Sequence, residues 1–239
     1  MPDPFLSIVV PAYNEAPRIR DTLSKVSHLK ELSPYQVELI VVDDGSADQT
    51  VEIVSEFPGI RLVRNDRNHG KGFTVRHGAL EARGEFVLFT DADLSAPIEE
   101  VDKLLSALQS SAADAAVGSR ALKRELIGIR QPLFRDLGGR FFNLLVRIFT
   151  GLRLRDTQCG FKLFKSSSTR RAFEQMGIEG FGFDPELLFL IERNGGRIVE
   201  VPVRWNNNPA TKVRFLRDST RMFLDLIAIR WRAFTGKYQ

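Results

Sequence analysis

The chain has 239 residues, of which 43% are hydrophobic and 27% charged, as in an ordinary globular protein with a core of its own. Its single cysteine, Cys159, excludes an intramolecular disulfide and fits a reducing compartment, and the three histidines lie too far from it in the sequence to indicate a zinc site. The sequence indicates neither a secretory leader nor an apolar run of the roughly 20 residues that cross a membrane. We therefore expect a cytoplasmic protein that is soluble or bound to a membrane surface.

The net charge of +4 conceals an asymmetry between the two halves of the chain. Residues 1–119 contain 11 lysines and arginines against 19 acidic residues, whereas residues 120–239 contain 23 against 11. A basic half is typical of proteins with an anionic partner, such as a phosphate group, a nucleic acid or an anionic membrane. Arginines scattered over a solvated surface would give the same count, so the count alone leaves both interpretations open.

Strand and helix patterns alternate through the first half of the chain. Helical patterns of about 10–15 residues separate the strands, and this alternation predicts βαβ units and an α/β fold with a mostly parallel sheet flanked by helices. The predicted strands cover 6–10, 37–42, 60–63, 85–90 and 115–118, and the predicted helices cover about 17–29, 48–58, 73–83 and 97–110.

Polar clusters follow three of these strands, at residues 11–15, 43–46 and 91–93. Right-handed crossovers place the carboxyl ends of parallel strands along one edge of a sheet, where such folds bind ligands. The last cluster contains Asp91 and Asp93, and two carboxylates at a strand end suit a divalent cation that also binds phosphate and water. The same two residues would also suit a simple turn. The convergence of the three clusters favours a binding site.

Four short motifs occur in the first half in a fixed order: VVPAYNE at 9–15, VVDDGS at 41–46, NHGKG at 68–72 and DAD at 91–93. In this order and spacing they resemble the inverting glycosyltransferases of family 2, which have the Rossmann-like GT-A fold. Three later motifs are similar to the polyprenyl- and dolichyl-phosphate hexosyltransferases of that family, and most similar to the dolichyl-phosphate β-glucosyltransferases. These are VGSR at 117–120, DTQCGFK at 156–162 and GFDPELL at 182–188.

This resemblance extends over about residues 5–235 and implies a single domain, 1–239. Its first half, about 1–119, would bind the nucleotide sugar, and its second half, about 120–239, would bind the acceptor. The implied reaction is an inverting, metal-dependent transfer of glucose from UDP-glucose to a polyprenyl or dolichyl phosphate. A GDP-mannose donor and a saccharide hydroxyl as acceptor both stay open, because no residue reads the base or the sugar directly.

The resemblance also implies roles for residues of the donor half. Asp93 would be the firmer ligand of Mg²⁺ or Mn²⁺, with Asp91 beside the ribose and the metal, and the third protein ligand stays open. Lys71, between two glycines, would approach the diphosphate. The residues that would bind the rest of the nucleotide sugar are Pro11, Tyr13, Glu15, Asp43 and Asp44.

Arginines dominate the implied acceptor site, as a phosphate partner requires. Arg120 matches the family's acceptor-phosphate arginine best, and further candidates are Arg135, Arg140 and Lys212. A phosphate monoester is already ionised near neutral pH and needs no general base, whereas a hydroxyl acceptor would need one. Asp184 would be that base in relatives with hydroxyl acceptors, and here we expect it to orient the donor or the acceptor arginines.

Two stretches of the second half have apolar residues at helical spacing, 137–152 and the carboxyl-terminal segment. Basic amphipathic helices with aromatic residues bind membrane interfaces, although most amphipathic helices simply pack against a core. We expect peripheral association with the cytoplasmic face of a membrane, with an integral membrane protein as a candidate anchor. The basic half contains no nucleic-acid-binding motif, so we expect no nucleic-acid partner.

Overall fold

Apolar strands form one mixed sheet at the centre of the computed structural model, which describes residues 3–208 and 215–238. Its seven strands lie in the order β3-β2-β1-β4-β6-β5-β7. The strands are β1 (Leu6–Ala12), β2 (Val37–Asp43), β3 (Ile60–Arg64), β4 (Phe86–Thr90), β5 (Ala115–Ser119), β6 (Phe161–Lys165) and β7 (Ile198–Pro202). The helices are α1 (Ala16–Leu32), α2 (Thr50–Ser55), α3 (Lys71–Glu81), α4 (Val101–Ser111), α5 (Leu133–Thr150), α6 (Ser166–Gln175), α7 (Phe183–Arg193) and α8 (Phe215–Phe234).

The parallel pairing of β1, β2 and β4 brings their polar carboxyl ends together. Leu6 is opposite both Val37 on β2 and Phe86 on β4, and β3 continues the parallel arrangement beside β2. All five residues of β4 are buried, which agrees with a strand covered on both faces. The three polar clusters predicted at the strand ends therefore lie on one edge of the sheet.

The sequence predicted five of the seven strands, and it did not predict β6 and β7. Strand β6 lies antiparallel between β4 and β5. Its sequence, FKLFK, places two lysines among three apolar residues, yet Lys162 is fully buried. Strand β7 is a half-buried edge strand beside β5. Local periodicity gives little signal for either strand.

Helices cover both faces of the sheet. On one face α1, α2 and α4 contribute to the core, and on the other face α3, α5, α6, α7 and α8 do so. Helix α8 joins the second core through Leu226 and Ile229, neither of which is exposed. Among the helices within 3–208 and 215–238, none combines the length and the apolar character needed to cross a membrane.

Candidate active site

A cleft of about 740 Å³ opens at the carboxyl ends of β1, β2 and β4. Its wall is formed by the residues after β1, the loop before α3, Asp91 and Asp93 after β4, and one side of α8. Among the residues predicted to bind the nucleotide sugar, most line this cleft: Pro11, Tyr13, Glu15, Asp44, Lys71 and Asp91. Asp43 is fully buried, accepts hydrogen bonds from the Ser46 amide at 3.3 Å, and is not among the lining residues.

Lys71 lies directly in front of Asp91, with its Nζ 2.6 Å from the Asp91 Oδ1. Burial would lower the pKa of Lys71, but the nearby carboxylates of Asp91, Asp184 and Asp93 hold it above its ordinary value. The ammonium also lies 5.3 Å from the centre of the Phe89 ring. Lys71 is therefore a firmly charged group at the position where a diphosphate or a metal ion would meet Asp91.

The glycines on either side of Lys71 allow the backbone to approach its neighbours closely. The Gly72 amide donates a hydrogen bond to the Glu179 carbonyl at 2.7 Å, and a Cβ on Gly72 would lie 2.4 Å from the Ile178 carbonyl oxygen. Gly70 has a φ of +111°, which favours glycine. The Gly-Lys-Gly sequence therefore fixes where the lysine enters the cleft.

Asp93 faces an ion pair at the start of α1, between Glu15, which precedes the helix, and Arg18, which the sequence did not identify as a site residue. Its Oδ1 accepts a hydrogen bond from the Ser95 amide at 2.9 Å, and its Oδ2 is 4.0 Å from an Arg18 guanidinium nitrogen. Arg18 forms a two-point ion pair with Glu15, and this pair raises the pKa of Arg18. The spacing of Glu15 and Arg18, three residues apart at the start of a helix, was the signal available in the sequence.

Asp44 organises the loop that leads to Lys71. Its Oδ1 accepts hydrogen bonds from the Asn65 side chain at 2.8 Å and the His69 amide at 3.0 Å. Its Oδ2 accepts a hydrogen bond from the Gly70 amide at 2.8 Å. These contacts hold the amino terminus of α3 against β2, so one function of Asp44 is to position Lys71.

Arg120 is held in a two-point ion pair with Asp156. The guanidinium donates to both Asp156 carboxylate oxygens, at 2.7 and 2.8 Å, and lies 5.3 Å from the centre of the Trp205 ring. Burial would raise the pKa of Asp156, but Arg120 outweighs this effect and lowers the pKa. Arg120 is not among the residues that line the cleft. Asp156 and Trp205 therefore fix the orientation of Arg120, and its role in binding an acceptor phosphate stays a prediction.

Asp184 lies beneath the cleft and is paired with Lys162, the fully buried lysine of β6. The Lys162 Nζ is 2.5 Å from the Asp184 Oδ1 and 2.6 Å from the Cys159 carbonyl oxygen. Burial raises the pKa of Asp184, against the opposing effect of Lys162 and Lys71. A carboxylate already engaged in this way is poorly placed to accept a proton from an acceptor hydroxyl.

Glu186, in the same motif, joins three parts of the second half. It is fully buried and accepts hydrogen bonds from the Ile178 amide at 2.7 Å, from Arg232 at 2.9 Å and from the Tyr238 hydroxyl at 2.5 Å. Glu186 therefore fixes α8 and the residues after it to the segment that packs on Gly72.

Two of the remaining predicted acceptor residues, Arg135 and Arg140, are not among the residues that line the cleft. Arg140 on α5 pairs with Asp136 at 3.0 Å, and the Arg135 guanidinium lies 5.9 Å from the centre of the Phe134 ring. Lys212 lies outside the described residues. The structure therefore does not bring Arg135 or Arg140 together with Asp91 and Asp93.

The site provides two carboxylates for a divalent metal ion. Within the described parts of the chain, no group of three or more His, Cys, Asp or Glu side chains forms a ready-made metal site. Asp91 and Asp93 nevertheless share the cleft, and Mg²⁺ is usually held by one or two carboxylates together with substrate phosphates and water. These residues fit a metal ion that binds together with a nucleotide diphosphate.

Comparison with known proteins agrees with this site. Residues 7–176 match the model of glycosyl transferase family 2, and the chain belongs to this family. It is a glycosyltransferase.

Particular relatives have more specific names. The dolichyl-phosphate beta-glucosyltransferase of Saccharomyces cerevisiae is 36% identical, over 98% of this chain and 77% of the yeast protein. The human protein of the same name is 35% identical, over 100% of this chain and 78% of its own. A Trichomonas vaginalis protein of that name is 39% identical, over 96% of this chain and 72% of its own length.

Solved structures confirm the fold. Glucosyl-3-phosphoglycerate synthase from Mycobacterium tuberculosis, crystallised with UDP, superposes with a TM-score of 0.67 over 95% of this chain and 79% of that protein, at 22% identity. The same enzyme has also been crystallised with Mn²⁺ and UDP-glucose. The predicted GT-A-type α/β fold is confirmed.

Proposed function

We propose that this chain transfers glucose from UDP-glucose to a polyprenyl or dolichyl phosphate, with inversion at the sugar and with Mg²⁺ or Mn²⁺ bound in the cleft. The observation that supports this most is the cleft itself, in which Asp91, Asp93 and Lys71 converge, in a chain similar over nearly its whole length to dolichyl-phosphate beta-glucosyltransferases. We propose one domain, 1–239, with the donor bound mainly by the first half and the acceptor by the second.

In the donor half, each residue has a distinct task. Asp91 and Asp93 would hold the metal ion, which neutralises the diphosphate and stabilises it as a leaving group. Lys71 would contact the diphosphate when it is released from Asp91. Pro11 and Tyr13, which line the outer cleft, would pack against the nucleoside.

The acceptor chemistry follows from the charge of a phosphate monoester. A phosphate oxygen attacks the anomeric carbon from the side opposite the diphosphate, the new carbon–oxygen bond replaces the bond to the diphosphate, and the configuration inverts. No proton has to leave the nucleophile, so no general base is needed. Arg120 would bind the acceptor phosphate while Asp156 fixes its orientation.

The acceptor's polyprenyl chain requires the protein to work at a membrane. We therefore propose peripheral association with a cytoplasmic membrane face.

The test is product formation by the purified protein. Polyprenyl phosphate in detergent and Mg²⁺ or Mn²⁺ would be incubated with labelled UDP-glucose or GDP-mannose in separate reactions. We expect a charged β-linked glucolipid from UDP-glucose, lost with a chelator or with Asp93→Ala and retained by Asp102→Ala, an exposed aspartate on α4. Product from GDP-mannose alone would overturn the sugar assignment. Transfer only to soluble saccharides would overturn the lipid-phosphate acceptor.

A further inference from the structure

Helix α5 has two apolar faces, and only one of them is buried. Val146 and Thr150 lie in the interior on one side. On the other side the large apolar side chains are between 50% and 80% exposed. These residues are Leu133, Phe134, Leu137, Phe141, Leu144 and Ile148. Core packing therefore explains one face of α5 and leaves the other unexplained.

Helix α8 repeats this arrangement. Leu226 and Ile229 are fully buried on one side, while the other side presents apolar side chains that are 37% to 85% exposed. The exposed residues are Phe223, Leu224, Ile227, Trp231 and Phe234. Few soluble surfaces present so many large apolar side chains together, and such patches mark interaction sites.

The two exposed faces lie on the same side of the molecule. Helices α5 and α8 pack against each other, with the Phe149 and Phe223 rings 5.9 Å apart. In helical projection Phe149 lies between the buried and the exposed residues of α5, and Phe223 lies at the edge of the exposed row of α8 that is nearest to its buried residues. The two rows are therefore neighbours, and together they form what we call the exposed α5/α8 face.

Charges at this face favour a lipid surface as its partner. The two helices contain seven arginines and three aspartates. Arg221 lines the cleft and Arg232 pairs with the buried Glu186, whereas Arg147 is exposed beside Ile148. Asp136 is already paired with two arginines. Arg217 lies seven residues before Leu224 and so borders the exposed row of α8. An apolar stripe with aromatic residues and bordering arginines matches the interface of an anionic bilayer, whereas a second copy would bring like charges together.

We propose that the exposed α5/α8 face binds the surface of an anionic lipid bilayer. Its apolar side chains enter the boundary between headgroups and acyl chains, and its arginines contact anionic headgroups. The opposite side of α8 contributes Asp218, Arg221 and Met222 to the cleft. Bilayer binding would thus place the cleft across α8 from the lipid surface, at a distance of about one helix diameter. Only the use of this proximity for catalysis rests on the proposed lipid-phosphate acceptor.

Vesicle sedimentation tests the surface without any substrate. The full chain would be mixed with vesicles of phosphatidylcholine alone or with about 30% phosphatidylglycerol. We expect Leu137→Gln/Phe141→Gln/Ile148→Gln/Trp231→Gln to lower the partition constant at least tenfold while the fold is retained, since all four side chains are exposed. Leu32→Gln, at the exposed end of α1, is the matched control and should bind as the wild type does.

Two further measurements separate the contribution of the arginines to binding from the depth to which the face enters the bilayer. We expect Arg147→Gln/Arg217→Gln to weaken binding to anionic vesicles more than Lys25→Gln/Arg171→Gln, which removes the same charge from exposed positions elsewhere. Brominated acyl chains should quench Trp231, which is 63% exposed, and Trp231→Phe should abolish this quenching, because Trp205 is only 9% exposed.

Three results would overturn the proposal: no vesicle binding by the wild type, equal binding by the four-residue variant, or a dimer that only this variant loses. The last result would assign the face to a second copy of the chain. The proposed reaction can fail independently, because a second assay measures it with a short-chain prenyl phosphate in the absence of both detergent and vesicles. There the four-residue variant should keep wild-type turnover if the face serves only to bind membrane.

Discussion

Replacement of Lys71 by methionine should have opposite effects on the two ligands of the cleft. The Lys71 ammonium lies 2.6 Å from the Asp91 carboxylate, where it would compete with the proposed divalent cation for the same oxygen. Once the diphosphate arrives, the released lysine can bind its phosphate oxygens. Lys71→Met should therefore bind Mn²⁺ alone more tightly, and bind UDP without metal more weakly.

The size of both effects follows from the exposure of the pair. The Lys71 and Asp91 side chains are 24% and 30% exposed, so solvent screens much of their attraction. Two unit charges about 4 Å apart interact by about 1 kcal/mol in water and about 4 kcal/mol at a protein surface. After the cost of rearranging the lysine, we expect about 1–2 kcal/mol, or roughly a 5- to 30-fold tighter Mn²⁺ complex. Loss of a charge-assisted hydrogen bond should weaken UDP by about 1.5–3 kcal/mol.

The assay is titration of Mn²⁺ followed by the electron paramagnetic resonance signal of the free ion, with UDP binding measured by calorimetry. Lys25→Met is the matched control, because Lys25 forms an exposed pair with Asp21 at 2.7 Å away from the cleft. The control should change neither affinity. Unchanged or weaker Mn²⁺ binding by Lys71→Met would refute the competition between lysine and metal.

Three further predictions concern the supports of the site. Asp156→Asn should lower transfer and cost about 2–4 kcal/mol in urea unfolding, because it removes the partner of Arg120. The pKa of Asp156 is lower in the folded protein than in the unfolded chain, where it is about 3.9. The stabilisation by the ion pair is therefore complete above the unfolded pKa and is lost as the pH falls through the folded pKa. Acid should for this reason destabilise the variant less than the wild type. Glu186→Gln should lower the melting temperature and expose the carboxyl-terminal helix to protease, whereas equal protease resistance would contradict its anchoring role. Gly72→Ala should lower the free energy of unfolding by about 1–3 kcal/mol, because the added Cβ would meet a backbone carbonyl. The control Gly139→Ala, which adds its Cβ in open space on a helix, should be neutral or stabilise the protein by about 0.5–1 kcal/mol. Equal effects of the two substitutions would contradict the close approach at Gly72.

The donor side of the site was accessible to prediction because it depends on local patterns. Apolar runs identify β1, β2 and β4, and the handedness of parallel crossovers places their ends on one edge. Asp91, Asp93 and Lys71 can therefore be assigned to one cleft by their positions in the sequence. Arg18 was missed although it follows Glu15 by one helical turn, because a surface ion pair explains that spacing equally well.

Contacts between distant parts of the chain limited the rest of the prediction. Lys162 of β6 has neighbours in the sequence that would suit an exposed lysine equally well, and its burial is explained by its ion pair with Asp184. The partners of Glu186 lie up to 52 residues away, beyond any local pattern. For α5 the sequence left core packing and exposure open, and the structure shows both, on opposite faces of the same helix.

The separation of charge within the molecule bears on the choice of nucleophile. Acidic residues meet at the proposed donor end of the sheet, where Lys71 pairs with Asp91, while Arg120 is fixed by Asp156 and Trp205 in the basic half. Asp184, the candidate base for a hydroxyl acceptor, is buried and paired with Lys162. An acceptor that arrives already ionised needs such an arginine and no such base. This arrangement therefore favours a phosphate over a sugar hydroxyl as the attacking group.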